Sequence, residues 1–373
     1  NKTGGYLVLE TGLFIGGNSV PAQGHATFER RDPVTDIVTT TAAAASIEDA
    51  VKAANVAAAA FPGWSCSSPE ERSAVLLRAA GILNQRSAEF AAIMADEIGA
   101  SEVWAHFNCQ LAGNILRDAA TMTDYLVDTE IPSSHAGVTG LTVRQPAGVV
   151  LGIAPWNAPV VLGVRAVAVP LACGNAAVLK ASELCPGTHS LIVEIFSEAG
   201  LPDGVLNLVT NAPEKAPEIV EALIAHEAVR RVNFTGSTRV GRSVAAHCAR
   251  YLKPVVLELS GKAPLLVLDD AIIAEAVNAA AFGAFLNQGQ ICISTERIIV
   301  DQSIADEFLQ QFAKKMAPLK AGDPRTGNYP LGAMISREAA IRVKTLVEDA
   351  VAKGARLVTG FELDDIVMQP ALL

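Results

Sequence analysis

The chain is poor in aromatic and charged residues. Phe, Trp and Tyr make up 5% of its 373 residues and Asp, Glu, Lys and Arg 18%, whereas hydrophobic residues make up 50%. A core must therefore be built from Ala, Val, Leu and Ile, and a disordered chain is excluded. Acidic residues outnumber basic ones by 39 to 29, so the chain would repel a phosphate backbone and we expect no nucleic-acid partner.

A membrane-spanning segment is also lacking, although the mean hydropathy is +0.32. The longest uncharged run, Pro146 to Val164, is interrupted by Pro155 and Pro159, which would break a spanning helix. The first five residues lack the apolar stretch of a signal peptide. Six cysteines are scattered without paired spacing, which indicates reduced thiols. We therefore expect a cytoplasmic protein with no membrane partner.

Several common site motifs are missing. The chain has no GxGxxG, no GxxxxGK[ST], no HExxH, no CxxC and no GxSxG. Neither a Rossmann nor a P-loop assignment can rest on a motif, and we expect no metal site.

The order of the predicted elements indicates an α/β fold. Between residues 148 and 259, apolar runs of four to seven residues alternate with helical patterns, and a second α/β unit follows residue 261. Such alternation predicts a parallel sheet covered by helices on both faces, with ligands at the carboxyl ends of the strands. Earlier, Ser46 and Ser68 begin helices, and we expect the second to continue to Ile98 and stop at Gly99.

Five segments carry side chains suited to chemistry, and all but the last follow a predicted strand. They are Ala154-Pro155-Trp156-Asn157, residues 178–183, residues 234–241, residues 257–262 and Asn287-Gln288-Gly289-Gln290-Ile291-Cys292. Their order and spacing resemble the aldehyde dehydrogenase superfamily along nearly the whole chain. The resemblance implies a parallel-sheet cofactor domain (1–127 and 147–260), part of an oligomerisation arm (128–146) and an α/β catalytic domain (261–373).

The resemblance assigns three catalytic residues. Cys292 would add as a thiolate to an aldehyde carbon; a lone Cys is otherwise more often a core thiol. Asn157 would stabilise the resulting oxyanion with the Cys292 backbone N–H, although an Asn there could simply cap the next helix. Glu258 would be the general base for thioester hydrolysis, with burial raising its pKa; the alternative is an edge strand that points Glu258 to water.

The resemblance also implies NAD. Lys180 and Glu183 would meet the adenosine ribose, where a Glu accepts from a free 2′-hydroxyl and repels a 2′-phosphate; isolated, the two could be a surface ion pair. The pyrophosphate would lie at the turn of Gly236, Ser237 and Gly241, although that spacing alone is typical of many strand–helix turns. The remaining cofactor contacts would be Ile153, Pro155 and Trp156.

Substrate choice would depend on the channel to Cys292. Arg165 would recognise a hydroxyl or negative charge and Trp104 would stack on a ring, unless the two serve packing. Ala158 would leave room for a ring, and Ile291 and Ile293 would add apolar bulk. Around Trp104 and Cys292 the chain resembles salicylaldehyde dehydrogenases, with vanillin and benzaldehyde dehydrogenases as close competitors.

The same residues are compatible with an aliphatic semialdehyde or CoA-acylating enzyme, and the fold is compatible with a non-catalytic binding or structural protein. The chain stops at Leu373, whereas members of the family continue, so we expect an incomplete sequence. The family resemblance further implies a homodimer or homotetramer.

Overall fold

The computed structural model describes residues 8–373, so the N-terminal residues used against a signal peptide lie outside the described part. The helices are α1 (Ile47–Ser65), α2 (Pro69–Gln85), α3 (Ser87–Ile98), α4 (Glu102–Met122), α5 (Pro159–Ala172), α6 (Pro186–Glu198), α7 (Ala216–Ala225), α8 (Thr238–Arg250), α9 (Ile273–Phe285), α10 (Ala305–Met316) and α11 (Arg337–Ala352).

The first strands are β1 (Leu9–Thr11), β2 (Leu13–Ile15), β3 (Asn18–Val20), β4 (Thr27–Arg31), β5 (Val38–Ala43), β6 (Thr129–Ile131) and β7 (Gly140–Thr142). The middle strands are β8 (Val149–Ile153), β9 (Ala176–Lys180), β10 (Leu206–Val209), β11 (Val229–Thr235) and β12 (Val255–Glu258). The last are β13 (Pro264–Val267), β14 (Arg297–Val300), β15 (Thr359–Gly360), β16 (Leu363–Asp364), β17 (Val367–Met368) and β18 (Ala371–Leu372).

The central sheet has seven strands in the order β12-β11-β8-β9-β10-β2-β3. The five strands from β12 to β10 are parallel, and β2 joins β10 in the antiparallel direction. The expected α/β class with a parallel sheet is confirmed. Because the carboxyl ends of parallel strands share one edge, the segments that follow β8, β9, β11 and β12 meet there.

Helices cover both faces of this sheet. On β9, Ala177 and Leu179 belong to the core formed with α2 to α6, whereas Ala176 and Val178 belong to the core formed with α1, α7 and α8. Successive side chains of a strand point to opposite faces, so a strand buried on both sides must be apolar throughout. The aromatic-poor composition suits this packing, since many core positions carry Ala.

One expected helix is two. The helix that begins after Ser68 ends at Gln85, and α3 begins at Ser87 and ends before Gly99. Arg86 between them leaves the helical conformation, and its guanidinium pairs with Glu89 on α3 and with Glu194 and Glu198 on α6. The expectation of one continuous helix is wrong: the chain turns at Arg86, where these contacts form.

The later segments are smaller. Strands β6 and β7 form the antiparallel hairpin expected for residues 128–146. Beyond residue 261, β13 and β14 pair in parallel, and α9 and α10 pack on them through Val267, Phe308 and Phe312. No helix within residues 8–373 is long and apolar enough to cross a membrane.

Candidate active site

A cavity of about 1150 Å³ opens at the carboxyl edge of the central sheet. Its wall includes Trp156 and Asn157 from the segment after β8, Glu258 from the end of β12, and Cys292 from the turn after α9. The three residues assigned to catalysis therefore line one space, although 135 positions separate Asn157 from Cys292 in the chain. An apolar cleft with a few convergent polar groups is the usual form of a small-molecule site.

The turn before Cys292 has an unusual backbone. Asn287, Gln288 and Gly289 have φ values of 50°, 56° and 71° in succession, in the left-handed region that non-glycine residues seldom adopt. Side-chain bonds hold this turn: Gln288 Nε2 donates to the Ala333 carbonyl at 2.7 Å, and Gln290 Oε1 accepts from a backbone N–H at 3.0 Å. The backbone that presents Cys292 is therefore anchored to the rest of the chain.

Asn157 is clamped beside that turn. Its Nδ2 donates to the Gln290 carbonyl at 2.9 Å, which uses one of the two amide hydrogens and leaves the other available to an oxyanion. Its own carbonyl accepts from Trp104 Nε1 and from Asn287 Nδ2, both at 3.0 Å. Asn157 caps nothing here, since Ala158 is the N-cap residue of α5 and makes no side-chain cap bond.

Glu258 is not buried, contrary to expectation. β12 is the edge strand of the central sheet, so its outward side chains, Val256 and Glu258, are exposed. The side chain nevertheless lines the cavity, and the Glu258 carbonyl accepts from the Gly236 N–H at 3.0 Å. Within residues 8–373, Glu258 therefore has the environment of the alternative interpretation, an edge strand that points the carboxylate to water.

Burial distinguishes four of the other cysteines from Cys292, which lines the cavity. It raises the pKa of the Cys109 thiol to about 12, and it also raises the pKa values of Cys173, Cys185 and Cys248. These four stay protonated near neutral pH and are poor nucleophiles. Cys66 is exposed at the end of α1, away from the cavity wall.

The expected ribose contacts form a buried ion pair rather than a surface one. Lys180 and Glu183 are bonded, and their side chains are 5% and 20% exposed. Lys180 ends β9 and Glu183 follows in the next turn, at the same sheet edge as the cavity. Holding the two charges in this partly buried position costs desolvation that a surface pair would not.

The expected pyrophosphate turn links β11 to α8. Ser237 is the N-cap of α8, and its hydroxyl accepts from the Val240 N–H. A Cβ on Gly236 would lie 2.6 Å from the Phe234 ring, and one on Gly241 would lie 2.5 Å from Leu259. A side chain at either position would require Phe234 or Leu259 to move, and the first turn of α8 offers backbone N–H groups of the kind that bind phosphate.

The remaining expected cofactor contacts surround β8. Pro155 and Trp156 line the cavity, whereas Ile153 is buried at the end of the strand. Among residues 8–373, no group of three or more His, Cys, Asp or Glu side chains could hold a metal ion.

Of the expected substrate contacts, Ile291 lines the cavity wall in the described residues. Trp104 is 2% exposed and stacks on Phe107, so it is a core residue and not an open channel wall. Ala158 is buried, and Ile293 is 80% exposed. The packing of α4, α5 and the Cys292 turn gives these three residues different environments, and their expected roles toward the substrate stay predictions.

The sequence predicts Arg165 at the channel to Cys292, but Arg165 does not line the cavity in the described residues. Its guanidinium donates to Thr235 Oγ1 at 3.2 Å, so it contacts a wall residue on β11 rather than forming the wall itself in the described chain.

Sequence reasoning missed several polar residues that hold the site. Asn287, Gln288 and Gln290 anchor the catalytic turn, and the Ser294 hydroxyl is buried at the cavity wall with no hydrogen-bond partner in the described residues. The run of three amides before Cys292 was the available signal, because amides in a turn often bond backbone groups.

Comparisons with known proteins identify the family of the chain. The Aldehyde dehydrogenase family model matches residues 20–373. The chain is 57% identical over 361 residues to a vanillin dehydrogenase of Pseudomonas sp. strain HR199, covering 97% of this chain and 75% of the relative. It is 46% identical over 366 residues to a salicylaldehyde dehydrogenase of Pseudomonas putida, covering 98% and 76%.

Solved structures of aldehyde dehydrogenases superpose closely on this chain. The crystal structure of a salicylaldehyde dehydrogenase from Pseudomonas putida G7 complexed with salicylaldehyde superposes with a TM-score of 0.94 at 46% identity, covering 97% of this chain and 75% of that one. A benzaldehyde dehydrogenase from Corynebacterium glutamicum, described as NAD-dependent, superposes with a TM-score of 0.91 at 35% identity, covering 97% and 78%.

The chain belongs to the aldehyde dehydrogenase family. It spans about three quarters of the length of these relatives. Within the family, its similarity is greater to the vanillin dehydrogenase than to the salicylaldehyde dehydrogenase that the sequence motifs favoured.

Proposed function

We propose that the protein oxidises an aromatic aldehyde of the vanillin type to the carboxylic acid, with NAD as the hydride acceptor. The observation that carries the chemistry is that Cys292, Asn157 and Glu258 line one cavity, with the Lys180–Glu183 pair at the same sheet edge. The choice of vanillin is supported by the 57% identity to a vanillin dehydrogenase. Salicylaldehyde is the second candidate, because a salicylaldehyde dehydrogenase shares 46% of the matched residues.

The first step is carried by Cys292 and Asn157. The thiolate adds to the aldehyde carbon, and the carbonyl oxygen becomes the oxyanion of a thiohemiacetal. The free Nδ2 hydrogen of Asn157 donates to that oxygen, and the bond to the Gln290 carbonyl keeps the amide facing the Cys292 turn. Because both groups are held before substrate binds, little reorganisation is needed during the reaction.

The carboxyl edge of the sheet would hold the dinucleotide. Lys180 and Glu183 would hold the adenosine ribose, the glycine turn at Gly236 and the first turn of α8 would hold the pyrophosphate, and Trp156 would flank the path to Cys292. The bound nicotinamide supplies the acceptor for the hydride that leaves the substrate carbon.

Glu258 serves the hydrolytic step. A thioester on Cys292 requires water, and Glu258 would take one proton from that water as its oxygen attacks the acyl carbon. The C–S bond then breaks, which frees the acid and returns the thiolate. The exposed position of Glu258 on an edge strand gives water access to the carboxylate.

Initial rates of nicotinamide reduction test the proposal. Vanillin, salicylaldehyde, benzaldehyde and a short aliphatic aldehyde are compared with NAD and NADP, with and without CoA. We expect the largest kcat/KM with vanillin and NAD and no requirement for CoA. A preference for the aliphatic aldehyde or a requirement for CoA would contradict the proposal, and folded protein that binds no nicotinamide would favour a non-catalytic role.

Two cysteine variants complete the test. Cys292→Ala should lower kcat by at least about 10³-fold, because it removes the nucleophile. Cys66→Ala is the matched control: it removes an exposed thiol away from the cavity and should leave the rate unchanged. Equal activity of the two variants would exclude Cys292 as the nucleophile.

A further inference from the structure

Asn211 reaches the residue expected to read the cofactor ribose. It follows β10, is 1% exposed, and its Nδ2 donates to Glu183 Oε1 at 3.0 Å. β9 and β10 are neighbouring parallel strands, so the segments that follow them begin at the same edge of the sheet. The sequence separates the two residues by 28 positions and contains no signal of this contact.

The orientation of the Asn211 amide is determined by its neighbours. Nδ2 also donates to the Ala212 carbonyl at 2.8 Å, so both of its partners are acceptors and the amide cannot be reversed. Oδ1 is left buried with no partner in the described residues. A buried amide oxygen is normally paired, so this side chain serves Glu183 at the expense of its own hydrogen bonding.

The contacts of Glu183 fall on one of its oxygens. Lys180 Nζ and Asn211 Nδ2 both bond Oε1, from β9 and from the segment after β10. Within the described chain this leaves Oε2 to accept from a hydroxyl. Two donors from two directions also prevent the carboxylate from turning away, which a single ion pair on a flexible side chain would allow.

We propose that Asn211 is a positioning residue that sets the preference for NAD over NADP by fixing Glu183. The inference rests on the proposed function. A fixed carboxylate accepts from a 2′-hydroxyl and repels a 2′-phosphate, whereas a mobile carboxylate does both less well. Asn211 therefore acts on cofactor choice through Glu183 and without touching the reacting atoms.

Equilibrium binding of NADH and NADPH to the purified protein tests the proposal without substrate. Fluorescence titration gives both Kd values for the wild type, Asn211→Leu and Asn211→Ala, which both remove the amide donor without adding a charge beside Glu183. We expect the Kd for NADH to rise about tenfold in both variants, the loss typical of one hydrogen bond to a charged group, and the Kd for NADPH to change less than about threefold. If the ratio of the Kd for NADPH to the Kd for NADH stays at its wild-type value, the proposal is overturned.

Thr210→Val is the matched control. Thr210 precedes Asn211, is equally buried, and its hydroxyl donates to the Ala43 carbonyl at 2.6 Å instead of to Glu183. Its loss should lower stability by a similar amount and leave the ratio of the two Kd values unchanged. A shift of that ratio in Thr210→Val would show that any damage to this segment alters cofactor choice, and would overturn the specific role of Asn211.

A double-mutant cycle separates positioning from packing. In a Glu183→Ala background, Asn211→Leu should change the ratio of the Kd values less than about twofold, because the group it positions is gone. Additive effects would overturn the proposal. If the wild type binds neither cofactor, the proposed function fails as well; if it binds NADH and the Asn211 variants keep the wild-type preference, only this inference fails.

Discussion

Trp104 provides a direct test of how the oxyanion donor is held. The sequence predicts that its ring stacks on an aromatic substrate, whereas the structure buries it and points its Nε1 hydrogen at the Asn157 carbonyl, 3.0 Å away. Trp104→Phe keeps an aromatic ring against Phe107, removes the donor and leaves only a small void, because phenyl is smaller than indole. Trp104→Leu removes both the ring and the donor.

The expected loss of stability follows from the number of hydrogen bonds that the Asn157 carbonyl accepts. Asn287 Nδ2 also donates to that oxygen, so Trp104→Phe leaves one of two bonds and no fully orphaned acceptor. The loss of one buried hydrogen bond lowers the free energy of unfolding by about 1 kcal/mol. If the same loss loosens the oxyanion donor, kcat falls by about fivefold. Trp104→Leu leaves a cavity as well and costs about 2–3 kcal/mol.

The assay combines urea unfolding with kcat/KM for vanillin, benzaldehyde and a short aliphatic aldehyde. We expect Trp104→Phe to lose the same factor on all three aldehydes, because Asn157 acts on the carbonyl oxygen that they share. A different pattern would refute this reasoning: wild-type rates for Trp104→Phe, together with a loss confined to aromatic aldehydes for Trp104→Leu, would show that the ring stacks on the substrate.

Two further predictions concern pH and assembly. His189 is buried, and its Nδ1 accepts from the Ser182 N–H. Burial lowers the pKa of His189 from 6.5 to about 3, so the folded state favours the neutral imidazole. The stability that the neutral ring contributes is present above pH 6.5, and about 1.4 kcal/mol of it is lost per pH unit between 6.5 and 3. Unfolding at several pH values should show a shallower slope for His189→Gln, and equal slopes would contradict the assignment. The hairpin of β6 and β7 exposes Ile131 and Leu141, and the family resemblance gives it a role in subunit contacts. Replacing both by Glu should lower the mass measured by light scattering to that of a monomer, whereas an unchanged oligomer would assign the contact to another surface.

Much of the fold could be predicted because its signals are local. Helices begin after Ser46 and Ser68 as expected, and each start is a capping box that needs only the residue three positions later. The alternation of apolar runs and helical patterns between β8 and β12 also predicted the parallel sheet, because strand and helix periods are properties of a few neighbouring residues. The break at Arg86 was missed because its partners lie on another helix.

The candidate site divides in the same way. The segments placed Asn157 and Glu258 at the ends of predicted strands, and the family resemblance grouped Cys292 with them; the structure has all three on one cavity wall. Their surroundings were harder to predict. Burial was expected for Glu258, but the exposure of a β12 side chain depends on what packs on that face of the sheet, and Glu258 is exposed in the described chain.

The sequence by itself determined the strand–helix order from β8 to β12, the helix starts after Ser46 and Ser68, and the family, because these depend on residue types at short spacings along the chain. Only the tertiary structure decided which polar groups meet: Trp104 and Asn287 on the Asn157 carbonyl, and Asn211 on Glu183. A hydrogen bond forms within about 3 Å and in one direction, so it depends on the docking of whole helices and strands. Elements far apart in the chain set that geometry together.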